Sequence, residues 1–336
     1  MKEIAFNRIE NIKIGHAQDF ESGTGCTVII CEKGAPTGVD VRGGGPASRE
    51  TELLNPVAAS GEIHAVLLSG GSAFGLDAAG GVMRYLSEHN IGFDTGVAKV
   101  PLVCQSCIFD LGVGKADAYP DAKMGYEACV DAEKDTIQQG NIGAGTGATV
   151  GKLKGPLTMM KSGIGTYAVQ IDTLKVGAIV VVNALGDIFN SESGQKLAGM
   201  LTPDGEAFED SESALYVKTV AKNNLFTANT TLGVIVTNGC FNKVQAKKIA
   251  AMAQNGYARS IRPVHTTADG DSVYAMSVGD VDADIDVVGT LSARVMSEAI
   301  KRAVLSADHA YGLKVARDFL KYIFYFKPCV IVLTEL

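Results

Sequence analysis

The chain has 336 residues, of which 46% are hydrophobic, so it holds enough apolar material for a large core. Its formal net charge of −7 excludes the basic footprint on which nucleic-acid binding depends. No stretch reaches the roughly 18 apolar residues of a membrane span, and the N-terminus lacks the apolar region of a signal peptide. These features predict a soluble, cytoplasmic protein that binds neither nucleic acid nor a membrane.

Strands and helices alternate along the chain. The apolar runs predict strands, in chain order, at 27–31, 39–42, 65–68, 176–183, 232–237 and 330–333. Helical spacing of apolar residues predicts helices at 76–86, 126–137, 243–254 and 291–304. Such interleaving indicates a layered α/β protein. Because no linker or change of composition marks a boundary, we expect a single compact domain over residues 1–336.

The cysteines and histidines give no sign of a metal or a disulfide framework. Seven cysteines without a secretory signal form an odd set, which argues against disulfides. Cys104 and Cys107 have the spacing of a redox or metal pair, but no second pair and no nearby histidine accompany them. The five histidines are scattered along the chain. We therefore expect neither a metal nor a cofactor.

Several glycine clusters imitate nucleotide or nucleophile motifs without meeting their requirements. The cluster at 143–147 is followed by Ala148, where a dinucleotide fingerprint needs glycine. The stretch 147–152 has one residue too few between its glycines for a phosphate loop. The stretch 71–75 has no serine at its centre, so it is not a nucleophile elbow.

The segment Asn229-Thr230-Thr231 stands directly before a predicted buried strand. A threonine hydroxyl is a weak nucleophile, but it becomes effective when the α-amino group of the same residue accepts its proton. Thr230 gains such an amine only if the peptide bond to Asn229 is cut. A turn before an ordinary strand, or a glycosylation sequon, accounts for the same residues, so the motif alone leaves these alternatives open.

A second polar segment, Asp269-Gly270-Asp271, follows further along the chain. Two carboxylates on either side of a glycine can converge at a turn and compete for protons, which raises one pKa. Such a pair can orient a nearby amine or hydroxyl. A polar turn before a strand explains the segment equally well.

Taken together, the glycine-rich blocks resemble the DmpA-like family of self-processing aminopeptidases and amidases (L-aminopeptidase/D-esterases), which includes the nylon-oligomer hydrolase NylC. The resemblance extends over nearly the whole chain and depends on blocks in a fixed order. These blocks are 15–16, 23–27, 40–46, 67–76, 143–152, 182–184 and 229–230.

The resemblance implies a four-layer α/β/β/α sandwich of the DmpA/ornithine acetyltransferase type, similar to N-terminal-nucleophile hydrolases. It implies a precursor that cuts itself between Asn229 and Thr230 into fragments 1–229 and 230–336, both of which are retained. It also implies a homo-oligomer of four or more copies. The Asn-Thr junction is closer to the nylon-oligomer hydrolase than to the serine-type aminopeptidases.

Site residues carried over from the resemblance have distinct roles. Thr230 is the nucleophile, and Lys152 is the lysine beside it. Asn183 supplies the side-chain amide that helps to hold the oxyanion, a role worth about 3 kcal/mol in a dry site. Asp269 and Asp271 form the pair that orients the nucleophile.

On the substrate side, Gly70, Gly71 and Gly145 permit close approach of the backbone to a substrate, although glycines more often serve packing. Phe109 is a departure, because active aminopeptidases of the family commonly have tyrosine there. Phenylalanine has no hydroxyl to donate to an oxyanion, which brings catalytic efficiency or the substrate class into question.

The main hypothesis is a self-cleaving hydrolase that acts on small amino-acid-like amides or short peptides through an acyl-Thr230 intermediate. One alternative is an acyltransferase of the ornithine acetyltransferase type, in which the acyl group passes to an amine. Another is an inert homologue that binds small molecules, which the presence of Phe109 favours. A second junction, Gly239-Cys240, is also a candidate for cleavage, but Thr230 is preferred because it starts the strand.

Overall fold

The computed structural model describes residues 1–217 and 229–320. The strands in these residues, in chain order, are β1 (Lys2–Ile4), β2 (Lys13–Asp19), β3 (Thr24–Ala35), β4 (Thr37–Val41), β5 (Ala47–Arg49), β6 (Ile63–Ser69), β7 (Phe93–Asp94), β8 (Lys99–Val100), β9 (Val103–Cys107), β10 (Thr149–Val150), β11 (Met160–Lys161), β12 (Ile164–Ile171), β13 (Leu174–Asn183), β14 (Asp187–Phe189), β15 (Lys196–Ala198), β16 (Thr230–Gly239), β17 (Ile261–Arg262) and β18 (Ser272–Val281). The α-helices are α1 (Ala78–Glu88), α2 (Ala122–Ala132), α3 (Ser211–Val217), α4 (Lys243–Ser260) and α5 (Ile285–Leu305).

Two large sheets form the centre of the molecule. Of the described strands, six form one sheet in the order β1-β12-β13-β16-β18-β4, and five form the other in the order β2-β3-β6-β9-β5. Most neighbouring strands are antiparallel, but β16 and β18 run parallel, as do β6 and β9. Because β18 runs parallel to β16, both strands start at the same edge of the six-stranded sheet.

The two sheets pack face to face, and each carries helices on its outer face. Helices α4 and α5 contact the six-stranded sheet, while α2 packs on the five-stranded sheet and α1 packs on α2. Strand β16 illustrates how the layers pack. Leu232, Val234 and Val236 point into the core between the two sheets, and Ile235 points into the core between the sheet and the helices. This period of two buries both faces of the strand. The predicted four-layer α/β/β/α sandwich is confirmed.

Most predicted elements are present, with shifted ends. The strands predicted at 27–31, 39–42, 65–68, 176–183 and 232–237 correspond to β3, β4, β6, β13 and β16. The predicted helix at 126–137 is misplaced, because α2 begins at Ala122. The Asp121 carboxylate accepts a hydrogen bond from Met124 N at 2.9 Å and caps the helix there. The strand predicted at 330–333 lies outside the described residues.

No helix within residues 1–217 and 229–320 is long and apolar enough to cross a bilayer.

Candidate active site

Three strands of the six-stranded sheet begin or end at one edge. Strand β13 runs antiparallel to β16, with Asn183 directly opposite Thr230. The parallel pairing of β16 with β18 continues beyond β18 through a bridge between Asn229 and Asp269. The last residue of β13, the first of β16 and the turn before β18 therefore lie side by side.

Thr230 is buried at this edge and faces the peptide bond that precedes it. Thr230 and Asn229 are each only 4% exposed to solvent. The Thr230 hydroxyl donates a hydrogen bond to the Asn229 carbonyl oxygen, which also accepts the Gly270 N–H at 3.0 Å. The hydroxyl of the predicted nucleophile thus lies against the carbonyl group of the predicted cleavage site.

The Asn183 side chain is held from both ends. Its Oδ1 accepts hydrogen bonds from Lys152 Nζ at 2.7 Å and from Thr149 N at 3.1 Å. Its Nδ2 donates to the Phe109 carbonyl oxygen at 3.1 Å. Phe109 follows β9 of the other sheet, so the Asn183 amide joins the two sheets in a fixed orientation.

Lys152 follows β10 and is placed by its backbone, since its N–H donates to the Leu185 carbonyl at 3.1 Å. Burial of the ammonium lowers the pKa of Lys152 to about 7, although the carboxylates of Asp269, Asp110 and Asp271 act in the opposite direction. A lysine with this pKa can lose its proton near neutral pH, which is typical of a group that takes part in proton transfer.

The two predicted carboxylates lie at the same edge with different partners. Asp271 Oδ1 accepts a hydrogen bond from Thr231 N at 2.7 Å, and Oδ2 accepts one from His265 N at 3.1 Å. Asp269 Oδ2 accepts from Thr266 N at 2.9 Å. Burial and the neighbouring Asp271 raise the pKa of Asp269. Asp271 therefore fixes the backbone immediately after Thr230. Asp269 is protonated more readily than an ordinary aspartate, because its pKa is raised.

The predicted substrate-side glycines all stand where a side chain would collide. A Cβ on Gly70 would lie 2.0 Å from Asp110 Oδ2, and Gly71 N donates to Asp110 Oδ1 at 2.7 Å. Gly71 also has a φ of +80°, in the left-handed region. A Cβ on Gly145 would lie 2.4 Å from Ile164 N. In the intact chain, Gly70 and Gly71 enclose a carboxylate and Gly145 lets two backbone segments approach.

Three further polar groups, two of them buried and one partly buried, were not singled out from the sequence. Lys161 is fully buried and donates to the carbonyls of Gly145 and Ala148, each at 3.0 Å. Asp110 lies against Gly70 and Gly71, and burial raises the pKa of its carboxyl group to about 6. His265 Nδ1 lies 3.0 Å from Asp271 Oδ2. In the sequence, only the closeness of His265 to the aspartate pair could have indicated a place in the site. Nothing in the sequence around Lys161 indicated one.

The alternative junction lies at the other end of β16. Cys240 follows that strand directly and is exposed, and its N–H donates to the Val281 carbonyl at 2.8 Å. Ten strand residues separate it from the edge that holds Thr230, which corresponds to about 30 Å. The residues that converge on Thr230 therefore do not surround Cys240.

A family model described as Peptidase family S58 matches residues 7–317. The chain belongs to this family. An uncharacterised aminopeptidase of Mycobacterium leprae is 36% identical to it, with 91% of each chain covered. A 6-aminohexanoate-oligomer endohydrolase of Kocuria sp. is 30% identical, over 88% of this chain and 83% of the relative. This S58 member is a hydrolase of the aminopeptidase and amidase type.

Solved structures show the same fold at low identity. The L-aminopeptidase D-Ala-esterase/amidase of Ochrobactrum anthropi, described as a variant among the Ntn-hydrolase fold, gives a TM-score of 0.66 at 16% identity, covering 90% of this chain and 86% of its own. A β-aminopeptidase of Burkholderia sp. gives 0.64 at 17% identity, covering 93% and 89%. The S58 chain thus has the fold that its sequence predicts.

Proposed function

We propose that this S58 hydrolase is made as a precursor that cuts itself between Asn229 and Thr230. The freed Thr230 then hydrolyses amides of small amino compounds or short peptides. The observation that carries the proposal is the hydrogen bond from the Thr230 hydroxyl to the Asn229 carbonyl, at the edge where Asn183, Lys152 and Asp271 converge.

Self-cleavage proceeds by transfer of the Asn229 acyl group from nitrogen to oxygen. The Thr230 Oγ forms a bond to the Asn229 carbonyl carbon, and the carbonyl electrons move onto its oxygen. When that oxyanion collapses, the C–N bond breaks, and the nitrogen leaves as the amine of Thr230 after taking up a proton. Water then attacks the ester carbonyl, which releases the Asn229 carboxylate and restores the hydroxyl.

Lys152 is suited to carry the proton in this step. The hydroxyl must lose a proton and the departing nitrogen must gain one, so a group that titrates near neutral pH is needed between them. The pKa of Lys152 is lowered to about 7, so a substantial neutral fraction exists at physiological pH. We assign it the transfer of the proton from Thr230 Oγ to the leaving nitrogen.

In the mature enzyme, the new α-amino group of Thr230 takes over as the proton acceptor for its own hydroxyl. A substrate amide is attacked, an acyl-Thr230 ester forms as the amine leaves, and water hydrolyses the ester. We assign Asn183, which lies opposite Thr230 in the sheet, the role of donor to the oxyanion. Asp271 holds the Thr231 N–H, which keeps the nucleophile in register.

Strand pairing gives a reason why the two fragments stay together. Strands β16 and β18 belong to 230–336, whereas β13 and β4, which pair with them, belong to 1–229. After the cut, the small fragment still supplies central strands to the six-stranded sheet. The product is therefore expected to remain one folded domain with two chains.

The substrate class follows from the names of the relatives. The mycobacterial relative is named an aminopeptidase, and the Kocuria relative acts on oligomers of 6-aminohexanoate. Both names refer to enzymes that act on amides built from amino-bearing acids. We propose that this chain acts on the same broad class, with small amino-acid-like amides or short peptides as substrates.

Purified protein on a denaturing gel tests the cleavage. The unmodified chain should give two fragments, 1–229 and 230–336, and Edman sequencing of the smaller should begin at Thr230. Thr230→Ala should leave a single full-length band, because no hydroxyl remains to attack. The matched control is Thr231→Ala, which removes the neighbouring buried hydroxyl and should still be cut.

Two results would contradict the assignment. Cleavage of the Thr230→Ala chain at the same junction would show that another group attacks the bond. A small fragment that begins at Cys240 would move the junction to the other end of β16.

A further inference from the structure

The carbonyl oxygen of Asn229 has a second donor besides the Thr230 hydroxyl. The backbone N–H of Gly270 donates to it at 3.0 Å. This bond extends the parallel pairing of β16 and β18 by one step beyond the two strands, where Asn229 bridges to Asp269. The donor is thus placed by the register of the sheet.

Glycine is also the only residue type that fits at position 270 without displacing the nucleophile Thr230. A Cβ at position 270 would lie 2.6 Å from Thr230 Oγ1 and 3.2 Å from Thr230 Cγ2. These distances are shorter than van der Waals contact allows. The absent side chain at 270 therefore lets the N–H and the hydroxyl reach the same carbonyl group.

The peptide that carries this donor is fixed on both sides. Before it, Gly45 N donates to the Asp269 carbonyl at 2.8 Å. After it, Arg42 N and Gly43 N donate to the Asp271 carbonyl at 3.0 and 3.2 Å. A donor held in this way does not have to reorient when charge develops on its acceptor, which is the condition for effective oxyanion stabilisation.

We propose that the Gly270 backbone N–H is the oxyanion donor of the self-cleavage step. When Thr230 Oγ bonds to the Asn229 carbon, the carbonyl electron pair moves onto the oxygen that Gly270 already holds. The charge disappears again when the C–N bond breaks and the nitrogen is protonated. The inference rests on the proposed function, because it concerns the same bond, and it adds a catalytic group that carries no side chain.

The donor can be removed without adding bulk by replacing Gly270 with glycolic acid during cell-free translation, which converts the N–H into an ester oxygen. The labelled full-length chain is chased after translation, and the appearance of the two fragments is followed on a gel. The matched control is the same ester at Gly140, whose buried N–H donates to the Ile164 carbonyl at 2.8 Å. Rates are measured over the protease-resistant fraction, so that slow folding does not count as slow cleavage.

The ester at 270 should slow cleavage about 100-fold, and the ester at 140 should change it less than about threefold. Equal rates for the two esters would overturn the proposal. A 270 ester with no protease-resistant fraction, beside a folded control, would also overturn it, because the bond would then serve stability. If the unmodified chain is never cut, the proposed function fails instead, so the two failures are distinguishable.

Discussion

Two lysines on neighbouring segments, Lys152 partly buried and Lys161 fully buried, have similar pKa values but different hydrogen-bond partners. Burial lowers the pKa of both Lys152 and Lys161 to about 7, and the Asp110 carboxylate acts against that shift in each case. Lys161 donates only to backbone carbonyls, among them those of Gly145 and Ala148. Lys152 donates to the side-chain oxygen of Asn183 and faces the aspartate pair.

We infer that hydrogen-bond partners, rather than pKa, separate a structural lysine from one that can transfer protons. Backbone carbonyls accept hydrogen bonds but cannot take up a proton from an ammonium, so Lys161 holds the turn around Gly145 in place. Carboxylates can exchange protons with an amine. Lys152 has such carboxylates around it, namely those of Asp269, Asp110 and Asp271.

The largest effect is expected for Lys152→Met. Loss of the proton carrier should slow self-cleavage about 1,000-fold, since general acid–base groups contribute factors of 10² to 10⁴. The free energy of unfolding should change by only about 1 kcal/mol, because Asn183 Oδ1 keeps the N–H of Thr149 as a donor. A cell-free chase gives the rate of cleavage, and denaturant unfolding of the purified precursor gives the stability.

Lys152→Arg is the informative companion, because it keeps a positive charge that does not titrate near neutral pH. It should be as slow as Lys152→Met. If the arginine variant cuts at the normal rate, positive charge alone suffices, and the assignment of proton transfer to Lys152 is wrong.

Lys161→Met should lower stability rather than slow self-cleavage. It leaves the buried carbonyls of Gly145 and Ala148 without this donor, which should lower the free energy of unfolding by about 2–4 kcal/mol. Denaturant unfolding in a Thr230→Ala background, where we expect a single uncut chain, measures this loss. Below the unfolding transition, the otherwise unmodified Lys161→Met chain should still cut within about threefold of the normal rate. A folded but uncut Lys161→Met chain would break the contrast between the two lysines.

The fold was largely predictable from the sequence because its strands are strongly apolar. The run at 176–183 and the run at 232–237 are central strands of one sheet, buried on both faces, and such runs are hard to mistake. Helix ends were harder, as α2 shows, because one capping aspartate at position 121 moved the start by four residues from the predicted one.

The candidate site was predictable where a resemblance covered it, and not elsewhere. Thr230 and Asn183 stood in blocks that carry the resemblance, and the aspartate pair was matched to the family's orienting pair. The strand register brings all of them to one edge. Lys161 had no sequence signal, because a single lysine outside any motif gives no indication of the carbonyls that surround it. The donor at Gly270 was beyond sequence reasoning, since a backbone N–H is common to all residues except proline.

Both lysines should contribute equally to the pH dependence of stability. Between the folded pKa of about 7 and the ordinary value of 10.5, the unfolded chain binds a proton that the folded chain does not. The free energy of unfolding therefore rises with pH in this window, by about 1 kcal/mol per pH unit for each lysine. Replacing either lysine by methionine in the Thr230→Ala background should reduce the slope between pH 7 and 8.5 by that amount.

The slopes must be compared between variants, because other groups also titrate. Burial raises the pKa of Cys31 and Cys129, so the folded chain keeps protons that the unfolded chain loses at high pH. These thiols oppose the lysines, but they are common to all three chains. If the slope of the free energy of unfolding against pH falls in only one of the two methionine variants, the two lysines do not share a pKa. The comparison between them is then wrong.

The smallest effect is expected at Phe109, which connects the two regions. Its carbonyl holds Asn183 on the Lys152 side, and the next residue, Asp110, acts on the pKa of both lysines. Phe109→Tyr keeps that backbone bond, so cleavage and stability should not change. Because the family resemblance implies a tyrosine hydroxyl at this position that donates to the oxyanion, Phe109→Tyr should raise the turnover of small amide substrates about threefold. Phe74→Tyr, on an exposed ring, should leave turnover unchanged. Slower cleavage in Phe109→Tyr would show that the ring itself positions Asn183.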